Sequence, residues 1–275
     1  MTSWSRTRKK RMAITAVKSM PAIFVGHGNP MNIIRRARWT EGWTALGAAL
    51  PRPRAILAVS AHWYLPATMV TAMSHPRTIH DFGGFPQELY EVRYPAPGDP
   101  ALAGRVRDAL APIPVELDQE WGLDHGAWSV LYHIFPEADI PVVQLSIDRT
   151  QLPSFHYEVG KLLAPLRDEG VLLLGSGNLV HNLQTYQWDR PDVGPFDWAS
   201  RFEEKVRGLL QAGKDAQLID YPAMGSEARL SVPTPDHYLP LLYVLGSRRK
   251  GEGVSFPVEG FDGGSMSMLA IQISG

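Results

Sequence analysis

From Pro21 onward, short uninterrupted apolar runs alternate with longer stretches in which apolar residues return every three or four positions. Continuous runs bounded by glycine, proline or polar residues predict strands buried on both faces, and the longer recurrence predicts amphipathic helices. Strands are expected over Ala22–Val25, Ala55–Val59, Val142–Ser146, Val171–Leu174 and Met268–Ile273. Helices are expected over Thr40–Leu50, Ala127–Phe135, Leu152–Leu166 and Phe196–Ala212, the last with Trp198, Phe202, Val206, Leu209 and Leu210 on one face. Two more open on a cap followed by proline: Asp99-Pro100, running to about Ala111, and Thr234-Pro235, running to about Leu245. Apolar strands separated by helices belong in a sheet covered on both sides. The expectation is a single α/β domain over residues 21–275, with a central, mostly parallel sheet and helices on both faces. The segment from Ser74 to Gly98 has few periodic signals and many Gly, Pro and aromatic residues, and loops of that length are often functional.

Charge and composition narrow the chemistry. Across 275 residues, 27 Lys and Arg oppose 28 Asp and Glu, for a net charge of -1. Residues 1–20 hold six of the basic residues (Arg6, Arg8, Lys9, Lys10, Arg11 and Lys18) and no acidic one. The remainder has 21 basic against 28 acidic residues, or -7. Such a body lacks the clustered cations with which a nucleic-acid binder displaces phosphate counterions. Residues 1–20 read as a disordered basic extension to which no function is assigned; an Arg-rich transit peptide, or a start at Met12 or Met20, are the other readings. No apolar run approaches the roughly 18 residues of a membrane helix, and a cytoplasmic protein is expected. The chain has no cysteine, which excludes disulfides, thiolate-held zinc, iron–sulfur clusters and thiol catalysis. Any transition metal has to sit on His, Asp or Glu.

Nine histidines are then the chemical resource. His27 directly follows the first predicted strand, His62 the second, and His181 lies just past Val171–Leu174. In an open parallel sheet the strand C-termini share one edge, where ligand crevices form, so these three can converge. His125 precedes a predicted helix, and His237 falls in the first turn of another. Together these five favour a metal site. His75, His80, His133 and His156 read as hydrogen-bonded structural residues, with His156 on an exposed part of its helix. The Gly175-Ser-Gly-Asn178 turn is a weaker candidate for a phosphate cradle. Neither Ser60 nor Ser176 occupies a Gly-x-Ser-x-Gly elbow, so a serine hydrolase has little support.

Five ordered motifs resemble the class III extradiol ring-cleavage dioxygenases, and most closely their DOPA 4,5-dioxygenase branch. They are Gly26-His-Gly-Asn-Pro-Met31, Ser60-Ala-His-Trp63, Asp124-His-Gly-Ala-Trp128, Gly175-Ser-Gly-Asn-Leu-Val-His-Asn182 and Thr234-Pro-Asp-His-Tyr238. The resemblance extends from Pro21 to Ile273 and includes Asp81-Phe-Gly-Gly-Phe-Pro86 and Gly264-Ser-Met-Ser-Met268. It implies one non-haem divalent metal, Fe(II) for catalysis or Zn(II) as found, held by His27, His62 and His237. Protocatechuate-type relatives have a glutamate where His237 stands here. By the same resemblance His181 is the acid/base residue and also a fourth candidate ligand, and His125 lines the substrate side as a second catalytic histidine. The implied reaction opens a catechol-type, DOPA-like 3,4-dihydroxyphenyl substrate with O2 to a muconic semialdehyde. Phe82, Phe85, Tyr90 and Trp128 are candidates for the substrate wall, with core packing as the other reading of each. Expected partners are the catechol and O2, without nucleic acid or membrane, on a monomer or small homo-oligomer. A zinc-dependent hydrolase on the same three histidines, and a non-catalytic metal-binding relative acting through protein partners, are the alternatives.

Overall fold

The computed structural model of the chain describes residues 19–275, so residues 1–18 of the predicted basic extension lie outside the described residues. Strand β1 (Ala22–Gly26) shows how the sheet is covered: Ala22 and Phe24 pack into one apolar cluster, Ile23 and Val25 into another. A side-chain period of two, with both sets apolar, puts a hydrophobic layer on each face. The other strands are β2 (Ala55–Leu65), β3 (Met69–Thr71), β4 (Glu116–Asp118), β5 (Val142–Asp148), β6 (Val171–Gly177), β7 (Gly253–Val258), β8 (Phe261–Asp262), β9 (Met266–Ser267) and β10 (Ala270–Ser274). Eight of them form one sheet in the order β4-β3-β5-β2-β6-β1-β10-β7, and β8 pairs with β9 apart from it. The central strands β5, β2, β6 and β1 are mutually parallel, while β10 and β3 join antiparallel on either side.

Nine helices accompany the strands among the described residues: α1 (Arg38–Ala49), α2 (Gln87–Glu91), α3 (Pro100–Ala109), α4 (His125–Ile134), α5 (Pro153–Leu163), α6 (Asp197–Gln211), α7 (Asp215–Ile219), α8 (Ser226–Ser231) and α9 (Leu239–Gly246). Val106 of α3, Val159 of α5, Phe202 of α6 and Leu242 of α9 cover one sheet face. Trp43 of α1 and Trp128 and Leu131 of α4 cover the other. Each such buried side chain contributes about 1.5–3 kcal/mol through removal from water. No described helix is long and apolar enough to cross a membrane.

The predicted α/β architecture is the observed one, and three local expectations are corrected. First, β2 does not stop at Val59. It pairs Val59 with Leu145 and Tyr64 with Ile147, so β2 spends extra residues between two nearby rungs of β5 and carries His62 on an irregular stretch inside the strand. Second, the helix expected from Thr234-Pro235 begins only at Leu239. The His237 carbonyl is taken by Asn178 N at 2.9 Å, which diverts it from helical bonding and leaves residues 235–238 as a hydrogen-bonded turn. Third, His156 is fully buried, with its Nδ1 2.8 Å from the Tyr243 hydroxyl, because α5 turns that face onto α9.

Candidate metal centre and active-site cleft

The parallel pairing of β1 with β6 places Gly26 beside Gly177, and His27 N donates to Gly177 O at 2.9 Å as the two strands end. Against the same exit packs the turn carrying His237. A Cβ on Gly177 would stand 2.1 Å from His237 O, so only glycine admits this approach. The bulged part of β2 supplies His62. The N-terminus of α4 supplies His125, its backbone capped by Asp124, whose side chain accepts from Ala127 N. Gly126 lets that helix start abut His62; a Cβ there would stand 2.5 Å from Ser60 Oγ and 2.9 Å from His62 Cδ2. His181 is anchored by its own N–H to Ser231 O at 2.8 Å and by bridge pairing to Met266.

All five singled-out histidines meet at this strand edge. His27, His62 and His237 each present a ring nitrogen, and the three nitrogens lie within 4.8 Å of one another. The Nε2 atoms of His27 and His62 are 3.2 Å apart. The His181 ring stacks on that of His237 at 3.5 Å and 5°. His125 lies on the opposite side, its ring centroid 3.9 Å from that of His62.

Polar partners behind the rings fix which nitrogen faces forward. Ser176 Oγ donates to Gly126 O at 2.5 Å and lies 3.0 Å from His27 Nδ1, so His27 Nδ1 is the protonated nitrogen and Nε2 keeps its lone pair. His237 Nδ1 donates to the Asp236 carboxylate, with the same outcome. Asp81 stands between two histidines, Oδ2 at 3.3 Å from His62 Nδ1 and Oδ1 at 3.0 Å from His125 Nδ1. Neither contact is aligned as a hydrogen bond; Asp81 Oδ1 accepts instead from His125 N at 2.9 Å. Behind Asp81, the fully buried Asp124 carboxylate accepts from Ser60 Oγ at 2.6 Å and from Gln144 Nε2.

Electrostatics favour neutral imidazoles. Burial, reinforced by His237, His125 and His181, holds His27 well below its ordinary pKa. Burial and then the neighbouring histidines do the same to His62. His181 is lowered by burial and by His237, against an opposing pull from Asp236. For Asp236 burial pushes upward, but the His237 hydrogen bond and charge outweigh it and hold the carboxyl well below the usual range. Asp81 is likewise lowered on balance, its His125 interactions outweighing burial.

These features fit a metal. Each of His27 and His237 has one nitrogen tied back and one free lone pair, the arrangement of imidazole ligands held by an outer layer of hydrogen bonds. Two nitrogens each about 2.0–2.1 Å from one cation stand about 3 Å apart at ordinary bond angles, close to the His27–His62 separation of 3.2 Å.

In front of the histidines opens a cleft of about 250 Å³. Phe82 and Phe85 line it, as the sequence suggested. Trp128 does not: it is fully buried, its Nε1 donating to Ile79 O at 2.8 Å. Tyr90 stands behind Phe82, ring centroids 5.2 Å apart. Leu183 and Trp188, which nothing in the sequence marked, complete the mouth, and Trp188 is 59% exposed. Asp81, Asp236 and Ser176 were given no role, although each stood inside a motif of the resemblance and Asp236 directly precedes His237.

A family model described as the catalytic LigB subunit of aromatic ring-opening dioxygenase matches residues 26–258. Among curated proteins, the 4,5-DOPA dioxygenase extradiol of Escherichia coli K12 is 54% identical over 259 residues, covering 92% of this chain and 94% of the relative. The 4,5-DOPA dioxygenase extradiol of Beta vulgaris is 37% identical over 251 residues, covering 89% and 92%. Among solved structures, an uncharacterized protein of Escherichia coli K12 superposes with a TM-score of 0.81 at 49% identity, covering 93% of this chain and 100% of that one.

Proposed function

The chain belongs to the LigB family of aromatic ring-opening dioxygenases, in its 4,5-DOPA extradiol branch, and from that premise we propose the substrate, metal and residue roles of the site. As an extradiol ring-opening dioxygenase it acts on a small molecule and O2. The hydrolase and the non-catalytic alternatives have no comparable support.

We assign a 3,4-dihydroxyphenyl substrate to the cleft, opened beside the diol to a muconic semialdehyde that retains both oxygen atoms. One divalent metal, Fe(II) for turnover, would be held by His27, His62 and His237, with His181 adjacent as a fourth donor. When bound, it supplies the positive charge that favours the anionic catechol, and ferrous iron also makes O2 chemistry accessible. The protein performs the remaining tasks. Phe82 and Phe85 receive the aromatic ring and exclude water around it. His181, kept neutral by burial, accepts a hydroxyl proton from the catechol and returns it as the ring opens. His125, carried at the N-terminus of α4, lines the cleft on the substrate side. Asp236 and Ser176 keep His237 and His27 in the tautomers that leave Nε2 available.

The observation that carries this reading is the convergence of five histidines from five separate segments at the floor of one aromatic-walled cleft. Anaerobic loading with Fe(II), followed by catechols and then O2, tests it. Oxygen uptake with a yellow semialdehyde absorbance is expected; stoichiometric iron without ring opening on any catechol overturns it.

A further inference from the structure

His62 presents its two ring nitrogens to two different groups. Nε2 faces His27 Nε2 in the group with His237, while Nδ1 faces Asp81 in a second group with His125. In that second group the three donor atoms, one from each residue, all lie within 4.8 Å of one another. Asp81 Oδ2 is 3.3 Å from His62 Nδ1, and Asp81 Oδ1 is 3.0 Å from His125 Nδ1. The carboxylate is fixed by the backbone, since Oδ1 accepts from His125 N at 2.9 Å and Oδ2 is left turned toward His62. The His62 and His125 rings lie side by side, with centroids 3.9 Å apart.

Three observations point to a cation among these donors. His125 is only 5% exposed, and its Nδ1 has no hydrogen-bond partner. A buried ring nitrogen left unpaired beside a carboxylate oxygen is costly, and an ion that both can ligate removes the cost. Donors bound to one ion at about 2.0–2.1 Å stand about 3 Å apart at ordinary bond angles, which is the spacing of both Asp81 contacts. Charge points the same way. Asp81 lies in front of the fully buried Asp124, whose partners Ser60, Gln144 and Ala127 N are all neutral. Neither carboxylate has a Lys or Arg ion-pair partner among the described residues. The His62 and Asp81 side chains keep 22% and 18% exposure, so an ion can enter past them.

We propose that His62, Asp81 and His125 form a second metal site, for Zn(II), joined to the first through the His62 ring. Two imidazole nitrogens and one carboxylate oxygen suit zinc, and a three-ligand site keeps a fourth position open for water. When both sites are filled, the neutral His62 ring releases its one N–H proton to solvent. Each of its nitrogens then offers a lone pair to one ion, and the ring bridges the two as an imidazolate. The bridging role rests on the metal assignment above, whereas the Asp81 and His125 donors do not. His62 and His125 both line the cleft. The second ion therefore adds positive charge to the cleft wall and holds those two rings in fixed register.

Metal-stripped protein dialysed against buffered Zn(II), with bound zinc read by elemental analysis, tests this in wild type, Asp81→Ala, His125→Ala and His237→Ala. Two zinc ions per chain are expected in wild type and one in each variant. Anomalous diffraction at the zinc edge from wild-type crystals grown with Zn(II) needs no variant to fold. Two peaks should stand about 6 Å apart, the sum of two Zn–N bonds and the width of one ring. A single zinc that is lost in His237→Ala overturns the second site and leaves Asp81 as an ordinary polar neighbour of the rings. A second zinc that survives in both Asp81→Ala and His125→Ala is adventitious and overturns it as well. A single zinc lost in Asp81→Ala and kept in His237→Ala sinks the first-site assignment and leaves this one standing. No zinc in wild type overturns both.

Discussion

Replacing Ser176 by alanine isolates what the layer behind the histidines contributes. Ser176 is fully buried, accepts from His27 Nδ1 at 3.0 Å and donates to Gly126 O at 2.5 Å. The substitution leaves the buried His27 Nδ1–H unpaired, at a cost of about 1–3 kcal/mol, while Gly126 O keeps its bond within α4. It also frees the His27 ring to carry its proton on Nε2, the nitrogen that faces His62. Losing such a partner lowers metal affinity about 10–100-fold, or about 1.4–2.7 kcal/mol. Thermal melts of wild type and variant, each with Zn(II) in fixed excess and again with chelator, separate the two effects. The cost of the orphaned N–H appears in both conditions and cancels in the difference. The metal-dependent increment in Tm should shrink by about 3–10 °C, using about 2–4 °C per kcal/mol for a chain of this size. An increment equal in variant and wild type would refute the tautomer assignment, however much the variant's absolute Tm falls.

His181→Ala should retain metal by elemental analysis while kcat for catechol opening falls about 10²–10⁴-fold, the usual worth of a positioned acid/base group; turnover equal to wild type would remove His181 from that role. The buried titrating groups outside the cleft predict opposite pH slopes in stability, read by urea unfolding. Burial pushes His156 down to about 4, against weaker pulls from Asp148 and Gln151. Its neutral form is thus favoured in the fold, and stability present above the unfolded value is lost as pH falls toward 4, by at most about 3 kcal/mol. Burial pushes Glu203 up to about 7 despite its Ser267 hydrogen bond. Its contribution is complete at low pH and is lost as pH rises through about 7. Glu203→Gln should abolish that alkaline loss, and unchanged slopes in the variant would contradict the burial argument.

Much of the molecule was legible in the sequence. The central strands are continuous apolar runs, and such runs have few places to go except between two helical layers. Strands β3 and β4 were invisible because they are three residues each and Leu117 of β4 is 40% exposed, leaving no periodicity to read. Helices α7 and α8, at five and six residues, are too short to establish a hydrophobic face. All five candidate histidines reached one site because each lies near a strand exit or a packed turn, and those exits share an edge. His156 was misplaced because helical pattern alone does not tell which side a neighbouring helix will cover.

Residue identity and order determine the α/β layering, the exclusion of thiolate chemistry and the set of histidines able to hold a metal. These depend on local periodicity and on which side chains exist at all. The partners of those histidines are a different matter. Ser176 behind His27 and Asp81 between His62 and His125 link positions between 19 and 149 residues apart along the chain. Their contacts depend on strand register, on a bulge in β2 and on a carbonyl diverted to Asn178. Such features arise only when the whole sheet closes, because hydrogen-bond geometry is decided within tenths of an ångström and no local pattern encodes it.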